Sequence, residues 1–271
     1  IISNILVYKT PEAGMTTQNI GGSIDLQTVK PLSAESTFTV NGSFEKNAED
    51  SPNPDFDNSG HRVSVNYVDQ FADDTLGLAL TVATMESPRQ EQHFRGWGYA
   101  DVNLAAENTF NDDGDPVWNP RRYDGQDTVN VPEGTVVLGG HDSFQRSAML
   151  ERDSIAAVVE WAPTEKLNIQ LDALYIDFVE DDVRRGLEEG GAEWGTSAYT
   201  VTGVEDGLVT SGYTDGFYSV VRNDARRQEA DLTTIGINAE YQINDSWSVE
   251  LDYSTGSVEK EIIDVESYSG V

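Results

Sequence analysis

Apolar and polar side chains alternate along seven separate segments of this 271-residue chain. In the last of these segments, Trp247, Val249 and Leu251 alternate with serine and carboxylate side chains. Because successive side chains of a β-strand point to opposite faces of a sheet, this period of two predicts strands with one apolar and one polar face. The segments are 37–45, 62–71, 75–84, 153–161, 167–175, 232–241 and 247–254. The sequence therefore predicts an all-β fold.

The connections between these segments alternate between short and long. They fall at 47–60, 72–74, about 87–152, 163–165, about 181–229 and 244–246. Outer-membrane barrels have short periplasmic turns and longer external loops, whereas long loops are uncommon in compact soluble domains. The order therefore favours an antiparallel transmembrane β-barrel, with extracellular loops at about 87–152 and 181–229.

Aromatic residues are placed unevenly on the predicted apolar face. They cluster at the short-turn ends of the strands, where aromatic girdles of membrane barrels lie. The residues are Tyr67, Phe71, Trp161, Tyr241 and Trp247. The alternative interpretation is that these rings cover an ordinary core.

The first 32 residues carry a motif of a different kind. A predicted strand at 3–9 leads into Lys-Thr-Pro at 9–11. A second predicted strand at 21–29 opens with Gly-Gly, contains Thr28 and is ended by Pro31. This arrangement resembles the end of the plug domain of TonB-dependent outer-membrane receptors, just before the barrel. Gln18 and Asn19 depart from the resemblance, because the family often has further glycines there. The matching positions are Lys9, Pro11, Gly21, Gly22, Thr28 and Pro31.

The resemblance implies a domain organisation and a function. Residues 1–32 would be the C-terminal end of the plug, and 33–271 would be the first strands, about seven of about 22, of the barrel. The chain would then be a fragment of a receptor in the bacterial outer membrane, in contact with lipid. The family actively takes up bulky, scarce ligands and is driven by the TonB energy-transducing complex, which would act through a missing N-terminal part.

Composition excludes several other functions. The chain has 17 Lys and Arg against 48 Asp and Glu, a net charge of −31, so a nucleic-acid partner is not expected. It has no cysteine, and its three histidines lack metal-binding spacing, so no transition-metal site or cofactor is expected. No nucleophile or phosphate-loop motif appears, and we expect no enzymatic activity. The acidic run 111–115 lacks the ligand spacing of a calcium loop and favours a solvated turn.

Aromatic and arginine side chains concentrate in the two predicted long loops. Aromatic rings stack on sugars, and arginine binds carboxylates and phosphates. Ring stacking needs no charge complementarity, so an acidic surface favours a neutral oligosaccharide over an anionic iron chelate, or siderophore, although the arginine pairs favour the chelate. The candidate ligand-contact residues are Trp97, Tyr99, Trp118, Arg121, Arg122, Tyr123, Arg184, Arg185 and Trp194.

Two alternatives remain open at this stage. The loop aromatics could form small cores, with the arginines paired to nearby acids. The whole chain could also be a secreted all-β carbohydrate-binding module, which would explain the alternation and the loop aromatics. It would leave the plug-like opening and the ordered turn lengths unexplained.

Overall fold

The computed structural model describes residues 2–10, 21–101, 132, 134–191, 198–215, 217 and 219–270. These residues form strands and turns. The strands are β1 (Ile2–Tyr8), β2 (Ser23–Thr28), β3 (Thr37–Lys46), β4 (Ser59–Phe71), β5 (Leu76–Gly96), β6 (Tyr99–Asp101), β7 (Val136–Leu138), β8 (His141–Thr164), β9 (Leu167–Glu189), β10 (Ala198–Glu205), β11 (Leu208–Asp215), β12 (Val220–Asn244), β13 (Trp247–Val265) and β14 (Tyr268–Ser269). In the described part of the chain, no helix is long and apolar enough to cross a membrane.

Seven long strands form one antiparallel main sheet. Their order is β13-β12-β9-β8-β5-β4-β3, with the short β14 paired to β12. Neighbours in the sheet follow one another along the chain, apart from the small strands inserted between them. Each predicted segment lies on one of these strands, apart from residue 75 at the start of the third, and tight turns join β4 to β5, β8 to β9 and β12 to β13. The all-β, antiparallel prediction is confirmed.

The predicted bounds of the long loops, 87–152 and 181–229, are wrong. β5 continues to Gly96, β9 continues to Glu189, and β8 and β12 begin at His141 and Val220. The pairing runs to the strand ends, where Gly96 lies opposite His141. Strand pairing depends on backbone hydrogen bonds, which continue where the apolar alternation has stopped.

Parts of the predicted loops form a second, smaller sheet. Its order is β10-β11-β7-β6, and β7 and β11 meet as a parallel pair. Ala100, Val137 and Val201 are buried together, with Val204 and Val209 packed against them. A small apolar cluster therefore gives this region structure of its own.

The N-terminal strands β1 and β2 form an antiparallel pair, with Tyr8 opposite Ser23. Gly22 has a φ of +119°, and a Cβ there would lie 2.7 Å from the carbonyl oxygen of Tyr8. The site therefore requires glycine. Both predicted N-terminal strands are confirmed, and their membership of a plug domain stays a prediction.

The two faces of the main sheet differ in an unusual way. We call the face that carries Leu78, Val159 and Ile237 the outer face, and the opposite one the inner face. On the outer face, large apolar side chains are exposed: Trp247 is 69 % exposed and Leu251 is 64 % exposed. On the inner face, Ala79 and Val158 are each 1 % exposed. Toward the short turns, the apolar face is thus uncovered, and the buried side chains lie on the more polar face.

Candidate functional site: the inner face of the main sheet

The segment 28–34 lies on the inner face at the short-turn end of the strands. The Thr28 hydroxyl donates a 2.8 Å hydrogen bond to Asp172, and the Leu32 amide donates a 2.9 Å bond to Glu160. The Gln70 side chain donates to the carbonyl oxygen of Pro31 at 2.6 Å, and Pro31 is buried. Side chains from β4, β8 and β9 therefore hold this segment against the sheet.

Gly77 of β5 explains the close approach. A Cβ at this position would lie 2.7 Å from the Pro31 Cβ and 2.8 Å from the Leu32 nitrogen. Glycine removes the side chain that would otherwise keep the segment off the sheet. A polar cavity of about 870 Å³ lies between the β1–β2 pair and the inner face. Asp172, Glu240 and Glu250 line it together with Lys30.

Asp142 organises the inner face at the far end of β8. Its side chain is buried, and Arg95 contacts one carboxylate oxygen at 2.5 Å while the Trp97 indole nitrogen donates to it at 3.1 Å. The Nε2 atom of His93 lies 3.0 Å from the other oxygen. Burial opposes ionisation, but the hydrogen bonds from Trp97 and Arg95 outweigh it and hold the pKa of Asp142 below its ordinary value.

A second carboxylate, Asp182 of β9, lies between two arginines. Arg146 donates to it at 2.7 Å and Arg89 at 3.0 Å. The hydrogen bond to Asp182 raises the pKa of Arg146, although burial works in the opposite direction. Both guanidinium groups are therefore neutralised by an acid that the sheet itself supplies.

A third carboxylate, Asp224 of β12, has the same arrangement. Arg184 and Arg222 donate to it at 2.6 and 2.8 Å, and Arg222 also reaches Glu188 at 2.6 Å. Burial opposes ionisation, but the bonds from Arg184 and Arg222 hold the pKa of Asp224 below its ordinary value. The Arg184 guanidinium also lies 4.8 Å from the ring centre of the buried Phe144.

We call these inner-facing residues together the charged wall. It consists of Arg89, His93, Arg95, Asp142, Phe144, Arg146, Asp182, Arg184, Arg222 and Asp224. Opposite charges meet between neighbouring strands at Arg95–Asp142, Arg146–Asp182 and Arg184–Asp224, which stabilises the sheet pairing. Arg146 and Arg184 lie directly opposite each other, and the two aspartates Asp182 and Asp224 compensate their charges. A cavity of about 250 Å³ opens on it, lined by Arg146, Arg184 and Arg226 among acids. Such a surface offers many fixed donors and acceptors to a polar ligand.

Four of the predicted ligand-contact residues lie in the described part of the chain. Trp97 is half-buried, bonded to Asp142, and packed so that a Cβ at Gly140 would lie 2.7 Å from its ring. Tyr99 is 65 % exposed in β6. Arg184 belongs to the charged wall, while Arg185 is on the outer face and pairs with Asp55.

Strand alternation explains why Arg184 and Arg185 do not converge. The same rule separates Arg226, on the inner face, from Arg227, which pairs with Asp181 at 2.7 Å on the outer face. The predicted contacts at Trp118, Arg121, Arg122, Tyr123 and Trp194 lie outside the described residues, as do the run 111–115 and Pro11 of the motif.

Asp142, Phe144, Asp182, Arg222 and Asp224 are site residues that the sequence reasoning missed, because it assigned their segments to loops. A signal was present: Asp142, Phe144 and Arg146 are spaced by two, as are Asp182 with Arg184 and Arg222 with Asp224. Such spacing places side chains on one face of a strand.

Comparisons with known proteins found no match: no family model, no curated protein and no solved structure corresponds to this chain. Within the described residues, no group of three or more metal-ligating side chains is close enough to hold an ion. The geometry of the two faces is therefore the main guide to what the chain does.

Proposed function

We propose that this chain is part of a TonB-dependent receptor of the bacterial outer membrane, which takes up a bulky oligosaccharide. The main sheet would be a section of the barrel wall, with its outer face in lipid and its inner face along the ligand path. Strands β3 and β13, which are the sheet edges, would pair with further strands of a closed barrel.

The observation that carries this proposal is the exposed apolar outer face. A soluble protein buries the apolar face of a sheet against a second layer, because exposed apolar area costs roughly 25 cal/mol per Å². On the described main sheet, outer-face residues such as Val249 and Leu251 have no such layer. Lipid is the solvent that would make this face favourable.

The height of the apolar band also fits a membrane. A tilted barrel strand needs about 9–11 residues to cross the hydrocarbon core. The outward-facing residues of β9 are uncharged over 167–175 and those of β12 over 233–241. Immediately beyond, Asp177 faces Asp231 across the two strands. The band thus ends at carboxylates, where the strands would leave the lipid.

The outer face beyond this boundary has the character of a wet surface. Here the loop between β3 and β4 folds over the sheet, and Asn53 donates to the Ser147 hydroxyl at 2.8 Å. Arg185 reaches the same loop through Asp55. Polar groups of this kind are expected outside the hydrocarbon layer, where water can satisfy their remaining bonds.

The packing of the segment 28–34 supports the plug assignment of the residues before it. Its hydrogen bonds to Asp172 and Glu160 place it on the inner face, which would be inside the barrel. In a TonB-dependent receptor a plug occupies that space and yields to the energy-transducing complex. The bonds observed here are individually modest, about 0.5–3 kcal/mol each, so a pulling force could release them.

The choice between an oligosaccharide and an iron chelate depends on which side chains are still free to contact a ligand. Most arginines of the charged wall are already paired with acids, which disfavours a ligand of high negative charge. The exposed rings of Tyr99 and Tyr213 remain free to stack on a sugar. These features favour an oligosaccharide over an iron chelate.

Uptake by cells that carry the full-length receptor tests the proposal. We expect transport of an oligosaccharide that requires the TonB complex and is reduced by Tyr99→Ala, a better probe than Trp97→Ala because Trp97 also holds Asp142. Glu229→Gln, on the outer face, is the matched control. Uptake independent of TonB would refute the receptor assignment. TonB-dependent uptake under iron starvation alone, unaffected by Tyr99→Ala, would replace the saccharide with a chelate.

A further inference from the structure

Two arginines on the inner face differ from those of the charged wall. Arg62 of β4 donates to the sulfur of Met85 from Nε at 3.3 Å and from Nη2 at 2.9 Å. Nη2 of Arg152, on β8, lies 4.0 Å from the same sulfur. The two Nη2 atoms are thus at most about 7 Å apart, above a methionine that is 6 % exposed.

Neither guanidinium forms an ion pair with a described residue, although the chain has 48 carboxylates. A thioether sulfur is a weak acceptor, so most of the donors on both side chains remain available. The charged wall makes the contrast clear, since Arg89 and Arg146 there share Asp182. Two like charges held together without an acid are expected to attract an anion.

The strand register explains why the row of residues that contains the two arginines has no carboxylate. Arg62, Met85 and Arg152 belong to one row across the sheet, which continues through uncharged residues to Lys260. The row is Ser43, Arg62, Met85, Arg152, Phe178, Ala230 and Lys260. It contains no carboxylate.

The two rows beside it also leave the arginines unpaired. The row toward the short turns is uncharged: Asn41, Ser64, Ala83, Ser154, Ile176, Leu232 and Val258. The row on the other side holds two carboxylates, Glu45 and Glu180. Glu180 is engaged by Arg89 at 3.2 Å, and Glu45, which lies diagonally across from Arg62, forms no ion pair with a described residue. The arginine pair therefore lies between the charged wall and an uncharged stretch that leads to the segment 28–34.

We propose that Arg62 and Arg152 form a carboxylate-binding site on the inner face, with Met85 as its floor. This inference rests on the proposed function, because it takes the inner face as the ligand path. A guanidinium group binds a carboxylate through two parallel hydrogen bonds, so two such groups can hold one carboxylate from both sides. The ligand class is then an oligosaccharide that carries carboxylates, such as an oligomer of uronic acids.

A carboxylate-bearing saccharide suits both the exposed tyrosines of the small sheet, Tyr99 and Tyr213, and the arginine pair on the inner face of the main sheet. Its rings can stack on exposed aromatic side chains, while one carboxylate at a time meets the arginine pair. A ligand of dense negative charge would be repelled by the surrounding acids before it arrived. This refines the neutral ligand expected from the composition to one with dispersed charge.

Binding to the purified full-length receptor in detergent tests the site independently of energised uptake. The probes are trigalacturonate, neutral galactotriose and citrate, the last as a carboxylate that is not a sugar. The variants are Arg62→Gln, Arg152→Gln and their combination. Arg227→Gln is the matched control, because it removes the same charge from a guanidinium that is paired with Asp181 on the outer face.

We expect the double variant to weaken trigalacturonate binding at least tenfold, with little change in galactotriose binding or in the Arg227→Gln variant. The loss should shrink at high salt, because salt screens charge pairs. Unchanged trigalacturonate binding, or an equal loss in Arg227→Gln, would overturn the site. Arginine-dependent binding of citrate without trigalacturonate would overturn the saccharide class. If uptake proves independent of TonB but the double variant still loses trigalacturonate binding, the proposed function is refuted and the carboxylate-binding site stands.

Discussion

Each long strand of the main sheet has one half near the short turns and one toward the far end, and the two halves differ in their pattern of apolar and polar side chains. Near the short turns, apolar residues such as Leu78 and Ile237 face outward, and small or polar residues face inward. Toward the far end both faces are polar, and the inner face carries the charged wall. The first half is constrained by what covers its outer face, whereas the second is constrained by pairing between neighbouring strands. The same strands therefore carry two different residue patterns along their length.

The largest expected effect concerns the outer face of the short-turn half. Ile237→Arg should destabilise the folded protein in bilayers by about 2–4 kcal/mol, because it would place a charge in lipid. Asn238→Arg is the matched control, since it faces inward toward Glu250 and Asp252. Urea titrations of the full-length receptor in vesicles measure both. Equal losses of stability in the two variants would show that the two faces do not differ in their surroundings.

The second prediction concerns the contact between Gly77 and Pro31. Gly77→Ala should destabilise this contact by about 1–3 kcal/mol, because the new methyl group overlaps the segment 28–34. We expect faster hydrogen exchange at the Leu32 amide, which now donates to Glu160. Gly236→Ala is the control, since its Cβ would have its nearest neighbour at 3.9 Å. Unchanged exchange at Leu32 would show that the segment does not depend on Gly77.

The sequence predicted the short-turn half of the strands better than the far half. Where the two faces of the sheet differ in polarity, the period of two marks the strands, and the seven segments were found. Beyond residue 86 of β5 that period is lost, and only the opposing strand keeps the chain extended. Arg184 and Arg185 show the consequence: taken as a loop they form a pair, but in a strand they point to opposite faces.

Other features depend on contacts between residues far apart in the chain. The approach of Pro31 to Gly77 and the burial of Asp142 beneath Arg95 and Trp97 require the register of several strands. The small sheet of β6, β7, β10 and β11 depends on a few residues, such as Ala100 and Val137, in stretches that lack a clear pattern. Composition could not place these contacts.

The third prediction concerns the charged wall. Asp224→Asn should destabilise the far half by about 1–2 kcal/mol, because Arg184 and the buried Arg222 lose their shared anion. Hydrogen exchange along β9 and β12 should rise there and stay unchanged near the short turns. Asp264→Asn, which removes an inner-facing acid without an ion pair among the described residues, is the control. Equal effects of both changes would assign the stability to overall charge.

The smallest effect is expected from pH. Asp142 and Asp224 have lowered pKa values in the folded state, so their contribution is complete above the ordinary aspartate pKa of about 3.9 and is lost as the pH falls through the lowered values. The protection of the far half against hydrogen exchange, measured relative to the intrinsic exchange rate at each pH, should therefore fall on acidification below about pH 4. Asn at both positions should flatten this dependence. An equal loss of protection in the double variant would place the titrating groups elsewhere.

The central claim is that the outer face of the short-turn half lies in lipid and the inner face in water. The chain has no cysteine. Single spin labels can be introduced along β12 at 234–239 in the proposed full-length receptor, with any cysteine outside this chain replaced by serine, and the labelled protein reconstituted in vesicles. We predict that labels at 235, 237 and 239 are accessible to oxygen, and that labels at 234, 236 and 238 are accessible to a water-soluble nickel chelate. Nickel access at 235, 237 and 239, or a profile without alternation, would contradict the account.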